Sequence, residues 1–154
     1  RAENLMIVDL MRNDFGRVCE MESIMVEKLF EVESYATVHQ LVSTLTGQLK
    51  KGQSATSALA ACFPAGSMTG APKIRAVEIL KELEQFPRDI YSGAFGYLGF
   101  DGSADFGMTI RTLVFEGKSA TLGVGGGITI DSDPESEFEE TMLKSKALLR
   151  ALGG

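Results

Sequence analysis

Glu137 and Glu140 stand three positions apart at the start of the last helical pattern in the chain. That spacing sets both carboxylates on one helical face, away from Phe138. Two acids facing the same way repel, so positive charge must lie near them. One reading is a solvated helix start that complements the dipole, with Glu140 paired to Lys144 one turn on. The other is a divalent-ion site. Carboxylate oxygens suit Mg²⁺, which keeps several waters and takes its remaining ligands from a substrate. Glu3, just ahead of an apolar run, is a third acid that can face the same space.

A second chemical feature is Pro64-Ala65-Gly66-Ser67-Met68-Thr69-Gly70-Ala71-Pro72-Lys73-Ile74. Small residues and hydroxyls lead into a helix start that carries a lysine. The first N–H groups of a helix lack partners and the dipole is positive there, so a lysine at that end calls for an anion. The stretch reads as a receptor for a small carboxylate or phosphate. It is not a P-loop, because its second glycine is not followed by lysine and Ile74 stands where Ser or Thr is required.

Arg111 lies in the apolar strand pattern Met108-Thr109-Ile110-Arg111-Thr112-Leu113. Either its fork grips a carboxylate at two points, or an edge strand points it at water. Tyr91 begins the preceding strand and either adds a hydroxyl or packs in the core. In Gly123-Val124-Gly125-Gly126-Gly127-Ile128 the missing side chains allow backbone N–H groups close to a ligand, or another backbone close to a bulged strand. His39, the single histidine, reads as a hydrogen-bonded core residue on a strand. No nucleophile elbow, Ser/His/Asp order or zinc spacing is present.

The elements that must position these groups follow from periodicity. Residues 2–12 read as a mostly buried helix stopped by Asn13-Asp14-Phe15-Gly16. Ile24-Met25-Val26 and Leu29-Phe30-Glu31-Val32 are β-like, and the Thr and Val content of 36–49 favours strand over helix. A turn at Lys50-Lys51-Gly52 leads to a short helix from Ser54 to Cys62. A second helix spans about 71–84, with Ile74, Val77, Leu80 and Leu83 as its core stripe. Strands over 90–100, 106–115 and 119–130, joined by Asp101-Gly102 and Glu116-Gly117, form a meander. Ser132-Asp133-Pro134-Glu135 caps the last helix, whose apolar stripe is Phe138, Met142, Leu149 and Leu152. The expected class is α+β, an antiparallel β-meander packed with helices.

A chain of 154 residues has the length of one domain or of a piece of a longer protein. Its net charge of −6 argues against a nucleic-acid partner, which needs a basic face. No apolar run approaches the roughly 20 residues of a membrane span. Cys19 and Cys62 have no metal spacing and read as reduced core residues of a cytoplasmic protein. The chain opens inside an apolar segment, Leu5 to Met11, without signal-peptide character. We therefore expect residues 1–154 to be a C-terminal portion whose missing part covers that segment.

Five motifs come in the order of the chorismate-utilising enzymes. They are Glu3-Asn4-Leu5-Met6-Ile7-Val8-Asp9-Leu10-Met11-Arg12-Asn13-Asp14, Gly66-Ser67-Met68-Thr69-Gly70-Ala71-Pro72-Lys73, Ile110-Arg111-Thr112, Gly125-Gly126-Gly127 and Ser136-Glu137-Phe138-Glu139-Glu140-Thr141. The chain resembles that family from Glu3 to its end. Ser67-Met68-Thr69-Gly70 is similar to the aminodeoxychorismate branch, whereas the anthranilate branch tends to read Thr-Leu-Ser-Gly there. Anthranilate synthases also carry a histidine just before Leu/Ile-Val-Ser, associated with pyruvate elimination. Here Gln40 holds that place and His39 lies one position earlier.

The resemblance implies a two-subdomain α/β sandwich and amination of chorismate at C4, with ammonia from a partner glutamine amidotransferase. It implies Mg²⁺ held by Glu3 and Glu140, with Glu137 reaching it through water, on the ring carboxylate of chorismate. Arg111, Tyr91 and the N–H of Gly127, with Gly126 beside it, would hold the enolpyruvyl carboxylate. Ser67, Thr69 and Lys73 would line the ring-carboxylate end, with His39 and Lys73 as the acid–base candidates. The branch's nucleophilic lysine, in a Pro-Ile-Lys-Gly-Thr motif, is expected upstream of Arg1, and Lys73 belongs to a different motif. The 154 residues alone are expected to be inactive. The competing expectations are an anthranilate synthase component I and a non-catalytic anion-binding fragment.

Overall fold

The first helix does not stop where its sequence suggests. In the computed structural model, which describes residues 1–36 and 38–153, α1 spans Ala2–Val18 and runs straight through Asn13 to Gly16. Tertiary contacts override the local stop signal. Asp14 is buried in an ion pair and Phe15 packs on the cluster of Val18, Cys19 and Ala61. The helix ends at Cys19, where Lys50 Nζ donates to the carbonyls of Gly16 at 3.1 Å and Arg17 at 3.4 Å. A cation there satisfies orphan carbonyls and complements the dipole. The helix is less buried than its apolar run implies: Val8 is buried, while Leu5 and Met6 are exposed.

The chain divides into two units, Arg1–Leu83 with Leu98–Ser103 and Glu84–Tyr97 with Ala104–Gly154. In the first unit, β1 (Met25–Ser34) and β2 (His39–Thr46) pair antiparallel, bearing out the strand reading for most of 36–49. β1 carries an irregularity between Lys28 and Glu31, where Phe30 has φ 59°. The Phe30 N–H donates to Ser43 Oγ at 3.1 Å, and that hydroxyl donates to Asn4 Oδ1 at 2.7 Å. The bulge thus ties the hairpin to the first turn of α1. Helix α2 (Ala55–Cys62) opens on a capping box between Ser54 and Ser57, and α3 spans Lys73–Leu83.

In the second unit, β3 (Ala94–Leu98) pairs with β4 (Ala104–Met108), and β5 (Leu113–Glu116) pairs antiparallel with β6 (Ser119–Leu122). The mixed α and β class with antiparallel pairs is as expected, but the strands are shorter. The strand read over 106–115 is two, broken around Arg111, and the one read over 119–130 ends at Leu122. Helix α4 (Pro134–Ala151) is capped by Asp133, which accepts from the Ser136 N–H at 2.9 Å and sits just before Pro134. The Ser136 hydroxyl donates to the same carboxylate at 2.9 Å, and the two bonds, the backbone one foremost, hold the Asp133 carboxyl below the usual carboxylate range.

The apolar stripes of α3 and α4 exist, but the described residues leave them open: Ile74 is 79% and Phe138 65% exposed. No helix among the described residues is long and apolar enough to cross a membrane. Replacing Ser54 by Ala removes the side-chain acceptor of the Ser57 N–H at the start of α2. It is expected to lower stability by about 1 kcal/mol, and Ser54→Gly by only a few tenths. The readout is the urea midpoint at constant slope; equal midpoints for Ala and wild type would contradict the cap.

Candidate active site

The anion that Lys73 calls for is supplied from within the chain. Lys73 opens α3, and its Nζ lies 2.5 Å from Asp14 Oδ2, a carboxylate with side-chain exposure of only 3%. Arg17 Nη2 holds the other oxygen, Asp14 Oδ1, at 2.7 Å. Both cations also reach the end of α2. Lys73 Nζ donates to the Cys62 carbonyl at 3.2 Å, and Arg17 donates to the Ala61 carbonyl. These carbonyls have no intrahelical donor and carry the negative end of the helix dipole. The receptor read from the sequence is therefore occupied by a side chain of α1. A cleft of about 450 Å³ opens beside the pair, walled also by Met6, Asp9, Asn13 and Pro72.

Between Cys62 and Lys73 runs the segment with Ser67 and Thr69. Gly66–Met68 forms a single 3-10 turn whose floor is Gly66, buried where a Cβ would come within 2.6 Å of Leu10 Cδ2. The Thr69 hydroxyl is within donating reach of the Ala65 and Gly66 carbonyls, at 3.2 and 3.3 Å. Ser67 is on the surface of this turn. Burial pushes the neighbouring Cys62 thiol up, with the Asp14 charge adding to the shift. Cys62 is half-buried and Cys19 buried, and both are free.

His39 lies on β2, but it is exposed rather than in the core, with Nδ1 2.9 Å from Ser34 Oγ across the hairpin. The correction follows from position: the ladder begins at this residue, four positions before Ser43, where the strand bonds to α1. Glu3 is exposed in the first turn of α1, where a carboxylate complements the dipole.

In the second unit, Tyr91 does not begin a strand but sits in the turn before β3. Its ring lies against the glycine-rich run: a Cβ on Gly123 would overlap the ring, and one on Gly125 would come within 3.1 Å of the hydroxyl. Arg88 sits over the ring, 5.9 Å from its centroid, and donates to Ser92 Oγ at 3.2 Å. Glu84 clamps that guanidinium through Nε at 2.8 Å and Nη2 at 2.5 Å. The Arg88 bond holds the Glu84 carboxyl below its ordinary range.

Arg111 is not mid-strand. It occupies the break between β4 and β5 at φ 52°, exposed, and no hydrogen bond or ion pair holds its guanidinium among the described residues. A non-glycine residue in the left-handed region costs of order 1 kcal/mol and is concentrated at ligand sites. The exchange of bonds between the Ser92 N–H and the Thr109 carbonyl, 3.0 Å, and the Thr109 N–H and the Gly93 carbonyl, 2.9 Å, brings the Tyr91 turn to the strand that leads into Arg111.

The glycine run then meets the start of α4. A Cβ on Gly126 would come within 3.1 Å of Glu137 Oε2, a tight contact, so glycine lets this backbone lie near the acid without displacing it. Ser132 Oγ donates to the other oxygen, Glu137 Oε1, at 2.6 Å. Glu140 pairs with Lys144 at 2.6 Å, one turn on, and Lys144 also donates to the Gly125 carbonyl at 3.3 Å. Gly127 lies in the same irregular run. A cation thus already sits between an acid and a backbone carbonyl here, and the carboxylates of Glu137 and Glu140 are oxygen donors of the kind a hard divalent ion takes. Within either unit, no three His, Cys, Asp or Glu side chains stand together as a ready metal cluster among the described residues.

Sequence reasoning overlooked Asp14 as the partner of Lys73, Arg88 as the companion of Tyr91 and Ser132 as the anchor of Glu137. The first was signalled by an acid inside an apolar helix pattern. The other two are pairings that periodicity does not encode.

The profile for chorismate binding enzyme matches residues 1–150. An aminodeoxychorismate synthase of Streptomyces pristinaespiralis is 53% identical over 152 residues, 99% of this chain and 21% of that protein. An anthranilate synthase component 1 of Methanothermobacter marburgensis is 48% identical over 151 residues, 98% of this chain and 33% of that protein. The crystal structure of anthranilate synthase component I from Streptococcus pneumoniae superposes with TM-score 0.88 at 43% identity, covering 94% of this chain and 33% of that one. The chain spans about a fifth to a third of the length of these relatives.

Gly123→Ala forces the Tyr91 ring off the glycine run. Overpacking of this kind is expected to cost about 1–3 kcal/mol, read as a lower melting temperature with a changed near-ultraviolet tyrosine signal. Gly125→Ala, which meets only the hydroxyl tip, is expected to cost less. Equal, negligible effects of both would contradict the packing of ring on backbone.

Proposed function

The chain belongs to the chorismate-binding enzyme family, and from that premise we propose that the whole protein aminates chorismate at C4. The product is 4-amino-4-deoxychorismate, the precursor of para-aminobenzoate for folate synthesis. Ammonia comes from a glutamine amidotransferase subunit or domain, and the reaction runs in the cytoplasm. The observation that carries the reading is Arg111: a fully charged fork, exposed at a left-handed backbone position and without an internal partner among the described residues. A guanidinium so presented matches a carboxylate ligand at two points.

In this reading Arg111 and Tyr91, with the backbone at Gly126 and Gly127, hold the enolpyruvyl carboxylate. The turn carrying Ser67 and Thr69 lines the ring-carboxylate end, with Lys73 at its neck. His39, on the hairpin edge, is the acid–base candidate. Glu3 and Glu140 hold Mg²⁺, and Glu137 reaches it through water. When bound, the ion supplies Lewis-acid polarisation of the ring carboxylate. The assignment of Glu3 to this set rests on the motif resemblance alone. The aminodeoxychorismate product is supported by Ser67-Met68-Thr69-Gly70, by Gln40 where the anthranilate branch has histidine, and by 53% identity to an aminodeoxychorismate synthase. Anthranilate synthase relatives at 48% identity make that enzyme the rival.

The test supplies the full-length protein with chorismate, Mg²⁺ and ammonia. The expected result is para-aminobenzoate appearing only after an aminodeoxychorismate lyase is added. Anthranilate fluorescence with pyruvate release would assign the rival product, and no turnover at all would favour a non-catalytic anion-binding module. Arg111→Ala is expected to raise the KM for chorismate by about 10-fold or more, the loss of a charge-assisted pair. An unchanged KM would remove Arg111 from the site.

A further inference from the structure

Lys73 is the residue of the Ser67–Lys73 segment that sequence would nominate for chemistry, yet its geometry fits a different task. Its side chain is 14% exposed, and its Nζ is shared between Asp14 Oδ2 at 2.5 Å and the Cys62 carbonyl at 3.2 Å. Cys62 ends α2 and Lys73 begins α3, so the second bond ties together the two ends of the segment that carries Ser67 and Thr69. The first bond fastens that neck to the middle of α1. Arg17 repeats the pattern from α1 itself, joining the other oxygen of Asp14 to the Ala61 carbonyl. An ammonium between a buried carboxylate and a helix-terminal carbonyl is spent on structure. Inside the segment, Gly66 rests on Leu10 and the Thr69 hydroxyl bonds back to the turn, so the loop is a closed, seated unit.

We propose that Lys73 is a positioning residue that acts through Asp14. The pair clamps the neck of the Ser67–Thr69 loop and so sets where the two hydroxyls stand, and Lys73 does not itself touch the substrate. The inference rests on the reading that this loop lines the chorismate site, and it makes Asp14 as important to turnover as Lys73.

The experiment is made on the full-length enzyme, with kcat and KM for chorismate measured using ammonia, and thermal melting measured in parallel. The variants are Asp14→Asn, Lys73→Met, the two combined, Lys73→Arg and Ser67→Ala. The expected result is a similar loss of kcat/KM, about 10–100-fold, for Asp14→Asn and Lys73→Met. The double variant should be no worse than the worse single one, and Lys73→Arg should return to within a few-fold of wild type. Losses that multiply in the double variant, or a Lys73→Met loss far larger than that of Asp14→Asn, would overturn the proposal. If the uncharged variants fail to fold, Lys73→Arg decides: near-normal kcat and KM support it, and a loss above about 100-fold at an unchanged melting temperature overturns it. Coupling between Asp14 and Lys73 in the melting data needs no substrate. Coupling there with no effect of Ser67→Ala on KM would mean that the subsite reading, not the pair, has failed.

Discussion

Asp14 holds one carboxylate inside the protein with two cations on it, and much of the first unit is arranged around that constraint. A buried charge is tolerable only when paired and hydrogen-bonded, and removing one partner of such a pair costs about 3–5 kcal/mol. Here one oxygen faces Lys73 and the other Arg17. The two cations in turn satisfy the last carbonyls of α2. Three helices therefore meet at one electrostatic node. It explains why α1 continues past its local stop signal, why α2 ends against α1, and why α3 begins with a lysine that the dipole alone would disfavour.

The second unit uses bare backbone where the first uses charge. Tyr91 can pack on Gly123 only because that position has no side chain, and Glu137 comes close to Gly126 without crowding for the same reason. Arg88, clamped by Glu84, lies over the tyrosine ring. Arg111 is presented to solvent at a left-handed position, with no hydrogen bond or ion pair to its guanidinium among the described residues. The part-buried, paired Lys73 and the exposed Arg111 at its left-handed position therefore contrast.

Much of this was legible where the signal is local. Asp133 followed by Pro134 announces the start of α4, and Ser54 that of α2, because capping depends on neighbours in the chain. The i+4 pairing of Glu140 with Lys144 is likewise a matter of helical spacing. What failed was non-local. Lysine at a helix start correctly demanded an anion, but nothing in the pattern says that Asp14, 59 positions earlier, supplies it. Arg111 sits among strand formers, and a single left-handed residue leaves no trace in the periodicity. The stripes on α3 and α4 were read correctly as apolar faces, yet a stripe says that a face prefers burial without saying against what. The family motifs carried the functional reading further than residue chemistry alone, since their order and spacing survive in a chain that spans about a fifth to a third of its relatives.

The central claim is that the acids of α4 serve a divalent ion on which substrate binding depends. Calorimetric titration of the full-length protein with chorismate, without ammonia and with or without Mg²⁺, tests it most directly. The account predicts binding that requires Mg²⁺ and that weakens about 10-fold or more in Glu140→Gln. Binding of equal strength with and without Mg²⁺, unchanged by that substitution, would contradict it.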